Sequence, residues 1–273
     1  MMQNISLIFK KSIANFFTIL NLLLGFSSII IISLSLSGDL NYINLACLLI
    51  FIASLIDVCD GKIARKLGTS GEFGKQLDSL ADIVSFCLAP SFLIFYYTYG
   101  IVQLGYVIII SSFPLVFGAI RLAKFNAYPS ESDKSYYLGL PTPANAIFIC
   151  SSILLMNDIS IVSIAESALN EIKTIDLLKW ILVKFYTINE YILIIVSMLS
   201  SVIMITDINY TKFPVLNRDK INIVSIVFLI IFIIFLFVGI LDKQYHIVIL
   251  FFISYYIISG IVKSIIHKIS GEI

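Results

Sequence analysis

The chain has 273 residues, of which 59% are hydrophobic and 13% charged, with a net charge of +1. Soluble domains are about a quarter charged, so this composition, with a mean hydropathy of +1.02, excludes a water-soluble domain with ordinary surfaces. No basic face is left over for nucleic acid, and a single polytopic membrane domain over residues 1–273 is expected.

A span needs roughly 20 apolar residues. Lys10 and Lys11 precede an apolar run that is too long for a signal-peptide core and has no A-x-A-like site, so residues 14–36 read as a first span. Further spans are expected at about 42–58, 78–99, 104–123, 138–156, 186–206, 221–241 and 245–265, an all-α bundle of about eight helices. Within it, about 14–156 forms the catalytic core, and 186–265 adds three spans of unassigned role. Between these parts, Asn157 to Ile181 has the mixed three- and four-residue apolar spacing of an amphipathic helix lying on the outer surface. Cys47, Cys59, Cys87 and Cys150 lack C-x-x-C spacing and lie in or beside apolar segments, as buried thiols do.

The second and third spans meet in a polar window from Asp57 to Asp82. Asp57 and Asp60 are three residues apart, Asp78 and Asp82 four apart, so on helices each pair shares a face. Acidic groups at a bilayer edge are costly unless they bind something. Paired carboxylates on facing helices are the usual oxygen cage for hard divalent cations. The positive-inside rule orients the chain: with eight spans, 14 of the 18 lysines and arginines fall on the side of the termini and the aspartates. Both termini and the aspartate hairpin are therefore expected in the cytoplasm, in a multi-pass protein of a bacterial cell membrane.

The window reads D-x2-D-G-x2-A-R-x8-G-x3-D-x3-D, through Asp57, Asp60, Gly61, Ala64, Arg65, Gly74, Asp78 and Asp82. This pattern resembles the signature of the CDP-alcohol phosphatidyltransferase family. Three further stretches resemble its serine-transferring branch: Phe73 to Pro90, Arg121 to Asn126 and Leu138 to Ala146; Asn21 to Phe26 in the first span is also similar. Cys87 stands where the resemblance leads one to expect glycine, a matter of helix packing. Lys124 stands in place of arginine, which keeps the charge but not the bidentate geometry.

The resemblance implies transfer of a phosphatidyl group from CDP-diacylglycerol to L-serine, with release of CMP, in phospholipid biosynthesis. It implies two ions, Mg²⁺ or Mn²⁺, held by Asp57, Asp60, Asp78 and Asp82, with Asp82 also the catalytic general base, and a homodimer in the bilayer. Gly61 and Gly74 would admit close approach of the nucleotide, Ala64 would pack on ribose or base, Arg65 would meet a phosphate or an aspartate, and Lys75 would either add charge near the phosphates or lie solvated at the surface. Arg121 is the candidate for the serine carboxylate, with Lys124 and Asn126 behind it; anchoring at a cytoplasmic interface is the other reading of Arg121 and Lys124. Pro141, Pro143 and Gly139 read as helix-start and turn punctuation. His246 and His267 read as packing or interfacial residues. Two other functions stay open: a sister enzyme using glycerol 3-phosphate or an inositol phosphate, and a cation transporter with an aspartate relay.

Overall fold

In the computed structural model the described residues are 2–35, 41–67, 71–99, 102–127, 136–157, 191–211 and 244–269. They form α1 (Met2–Ser35), α2 (Asn41–Leu67), α3 (Glu72–Asp82), a π-helical stretch (Ile83–Leu88), α4 (Ala89–Thr98), α5 (Leu104–Ala127), β1 (Tyr136–Leu138) and α6 (Thr142–Asn157). Then follow α7 (Tyr191–Ile203), β2 (Asn209–Thr211) and α8 (Tyr245–Ile269).

Burial runs opposite to that of a soluble bundle. On α1 the buried positions are Thr18, Asn21, Gly25, Ser28, Ile32 and Ser35, a seam at alternating three- and four-residue spacing. Phe16, Ile19, Leu23, Phe26, Ile30 and Leu34 are exposed on the other face. Lipid is as apolar as leucine, so large apolar side chains gain nothing by leaving it; small and polar residues take the helix contacts. Several hydroxyls in these helices are satisfied locally or across a contact: Ser54 donates to Phe51 O (2.7 Å), Ser151 to Ile147 O (2.8 Å) and Ser28 to Ala46 O (3.1 Å).

Among the described residues, five helices are long and apolar enough to cross a membrane: Asn15–Ser35, Asn41–Cys59, Glu72–Thr98, Leu104–Ala127 and Tyr245–Ile266. They match five of the expected spans. The helix found for 138–156 begins at Thr142 and has 16 residues, about 24 Å at 1.5 Å per residue, less than a hydrocarbon core of about 30 Å. The expected span 186–206 is represented by α7. The span at 221–241 and the outer amphipathic segment, beyond Asn157, lie outside the described residues.

Two expectations need correction. The third span does not start at Asp78: its helix starts at Glu72, after Gly71 in extended conformation. The second span ends at Cys59, close to the expected 58, and its helix runs on to Leu67. Hydropathy marks where a helix leaves the apolar layer, whereas its backbone hydrogen bonds continue into the headgroup region. The description all-α also falls short, because β1 and β2 pair antiparallel, with Tyr137 opposite Tyr210 and Leu138 opposite Asn209. Three-residue strands in an apolar chain leave no alternating pattern to read.

The rod from Glu72 to Thr98 changes to π geometry directly after Asp82. Pro90 has no N–H for the carbonyl four residues back and its ring would strike it; a wider turn accommodates both effects. The departure at Cys87 is resolved across the next contact. A Cβ on Gly118 of α5 would overlap the Cys87 sulfur, so the space the cysteine takes is given up by the facing helix. A buried core joins Ile43, Cys47 and Ile50 of α2 with Phe86, Leu93, Ile149 and Ile153, while Leu140, Phe148, Met204, Tyr210 and Ile257 form a second cluster.

Candidate active site

The ends of α2 and α3 bring three carboxylates together. Asp57 on α2 and Asp78 and Asp82 on α3 have ligand oxygens that all lie within 4.8 Å of one another. Asp57 and Asp78 are half-buried and Asp82 is buried. Spacing alone places Asp78 and Asp82 on one helical face; the crossing of α2 with α3 adds Asp57. Three hard oxygen donors at this separation fit one divalent cation, and such a charge would offset the repulsion among them. For Asp60, Gly61, Ala64 and Arg65 the backbone alone is described, and it is helical, on the last turns of α2.

Arg121, near the C-terminal end of α5, has Asp82, Tyr137, Cys87 and Tyr256 as electrostatic neighbours. Its Nε is buried and meets no hydrogen-bond acceptor among the described residues. Arg121, Lys124, Phe125, Leu138, Met204, Ile205 and Thr206 line a small open cleft. Arg121 thus joins two features: the acidic triad through Asp82, and this cleft.

The remaining sequence candidates have protein partners. Asn126 Nδ2 donates to Ser79 Oγ at 2.9 Å, one residue from Asp78 on α3. Lys75 Nζ donates to the carbonyl of Phe125 at 3.4 Å and lies 5.0 Å from the centroid of that ring. It ties α3 to the C-terminal end of α5, where a cation meets free carbonyls and the negative end of the helix dipole. Lys124 Nζ pairs with Asp207 Oδ1 at 3.4 Å. At Gly74 a Cβ would meet only Asn15 Oδ1, at 3.7 Å, so the protein itself does not require glycine there.

A family model described as CDP-alcohol phosphatidyltransferase matches residues 11–183. The chain belongs to the CDP-alcohol phosphatidyltransferase family. Both helices of the triad, and Arg121 with them, lie inside the matched stretch, as expected of the part that carries a family's chemistry. Among similar proteins is the CDP-diacylglycerol–serine O-phosphatidyltransferase of Helicobacter pylori, 36% identical over 144 residues, 52% of this chain and 57% of that one. The protein of the same name from Methanocaldococcus jannaschii is 29% identical over 203 residues, covering 74% of this chain and 75% of the relative. An archaetidylserine synthase from Methanothermobacter thermautotrophicus is 35% identical over 147 residues, 52% of this chain and 60% of its own. The first of these alignments therefore spans little more than half of each chain.

Sequence reasoning passed over Asp207 and Tyr256, both brought to the Arg121 side of the molecule by tertiary contacts, as is Tyr137, which from sequence reads as an interfacial aromatic. It also noted Asn21 only as part of a similar stretch. Its amide is fully buried, and neither amide atom meets a hydrogen-bond partner among the described residues, while Ser85 Oγ donates to its carbonyl at 2.9 Å. A lone amide within an apolar helix was the available signal.

Proposed function

We propose that this family member transfers the phosphatidyl group of CDP-diacylglycerol to L-serine, giving phosphatidylserine and CMP. The observation that carries the reading is the convergence of Asp57, Asp78 and Asp82 beside Arg121, in a family whose similar members bear the serine transferase name. Asp57, Asp60, Asp78 and Asp82 would hold Mg²⁺ or Mn²⁺, two ions in all, which would supply positive charge against the pyrophosphate and the departing CMP phosphate. Asp82 accepts the proton of the serine hydroxyl. The hydroxyl oxygen forms a bond to the phosphatidyl phosphorus as the bond from that phosphorus to the CMP oxygen breaks. Arg121 binds the serine carboxylate from the cleft side, its unmet Nε–H serving as one donor. Arg65 and the turns at Gly61, Ala64 and Gly74 face the nucleotide. Lys75 and Asn126 fix α3 against α5 and so position Asp78 and Asp82.

The site works at the cytoplasmic headgroup level of a bacterial cell membrane, with both termini on that side, in a single domain that forms a homodimer. The acyl chains lie in lipid against the exposed apolar faces. The test is CMP release by the purified protein with CDP-diacylglycerol and a divalent ion, offered L-serine, glycerol 3-phosphate or inositol 1-phosphate separately. Release with serine alone is expected. Release only with a phosphorylated acceptor would overturn the choice of acceptor, and release with none would return the aspartates to ion transport.

A further inference from the structure

The family match ends at residue 183, yet Met204, Ile205 and Thr206, three of the seven residues lining the cleft, come from the turn after α7. That turn is fixed from beneath. Leu140 N donates to Ile203 O at 3.3 Å, and Gly139 N donates to Ile208 O at 2.9 Å. Gly139 has φ of +70°, and a Cβ there would overlap the Met204 carbonyl. Only glycine allows both the left-handed backbone and this approach. The β1–β2 pair carries the junction onward, and Tyr210, fully buried, donates to Ile257 O of α8 at 3.4 Å. The far wall of the cleft is therefore held rigidly against α5 by the C-terminal half of the chain.

At the rim of this wall stands Asp207, paired with Lys124. The pair is exposed, 44% at Lys124 and 84% at Asp207, and exposed pairs add little to stability. Its effect falls on the charge of the cleft. Arg121 and Lys124 alone offer two cations, which suits a dianionic phosphate monoester. With Lys124 neutralised, one cation remains at Arg121, matched to a single carboxylate.

We propose that Asp207 is a specificity-determining residue, which with Lys124 selects a zwitterionic amino-acid acceptor over a phosphorylated one. The inference rests on the reading of the chain as a serine transferase and assigns part of its selectivity to a segment beyond the family match. The experiment measures kcat/KM for L-serine and for glycerol 3-phosphate in the wild type, Asp207→Asn and Asp207→Glu, at low ionic strength so that the charges are not screened. Both constants come from one preparation, so their ratio does not depend on the fraction folded. In Asp207→Asn the preference for serine should fall about tenfold, the effect of one unit charge on a dianion about 6 Å away in water-like surroundings. Asp207→Glu should keep the preference. A ratio in Asp207→Asn within about twofold of a serine-preferring wild type would overturn the role of Asp207 alone. A wild type that prefers glycerol 3-phosphate would overturn the serine reading itself, and this inference with it.

Discussion

Replacing Asp82 with asparagine keeps the side-chain shape and removes one charge from the acidic triad. Carboxylate oxygens within 4.8 Å of one another repel by about 3 kcal/mol per fully buried pair at an effective dielectric constant near 20. Solvent reduces this for the half-exposed Asp57 and Asp78. The substitution relieves two such repulsions and removes a counter-charge from Arg121. The metal-free variant should thus be about as stable as the wild type, or more stable by about 1 kcal/mol. Turnover should fall about 10²- to 10⁴-fold, the usual worth of a positioned general base. Two assays on the purified protein check this: CMP release, and thermal unfolding with EDTA against Mg²⁺ or Mn²⁺. The metal-induced rise in Tm should shrink in the variant, because binding energy for the folded state appears as stability. Turnover within about tenfold of wild type, with an undiminished metal-induced rise, would remove Asp82 from both the metal site and the mechanism. A sharp loss of metal-free stability would make it a structural residue instead.

Other substitutions probe the surrounding frame. Arg121→Ala should raise the KM for serine about tenfold or more while changing that for CDP-diacylglycerol little, as loss of a charged hydrogen bond to one substrate requires; an equal effect on both returns Arg121 to an anchoring role. Gly118→Ala puts a methyl group into the Cys87 sulfur and should cost about 1–3 kcal/mol through overpacking. Cys87→Gly in the same chain should recover most of that loss, as measured by thermal unfolding, because the two residues share one space. Gly139→Ala forces alanine to φ of +70°, an intrinsic cost of about 1–2 kcal/mol before the overlap with Met204 is counted. It should lower serine turnover through the displaced cleft wall more than it lowers metal binding at the triad, and parallel losses in both would argue against a local effect.

Composition and spacing alone mark this as a membrane protein and mark the short window whose carboxylates converge. Composition fixed the first, because apolar runs of this length have no other stable environment. Spacing fixed the second: Asp78 and Asp82 share a helical face whatever surrounds them, and Gly61, Ala64 and Arg65 sit at set distances from Asp57 and Asp60 along one chain. Local signals also sufficed for the turn at Gly139 and the helix start at Thr142. Tertiary structure alone decided the rest. The place of Asp57 beside Asp78 and Asp82 depends on how α2 crosses α3. The tolerance of Cys87 depends on a glycine 31 positions away on another helix. Lys75 meets the end of α5 because packing brings Phe125 within reach, a contact that its place in the sequence does not signal. Arg121 gains its cleft only when the turn after α7 closes over it, through backbone hydrogen bonds that carry no side-chain signature. Periodicity records what one helix does to its own faces; it holds no record of which distant backbone will lie against them.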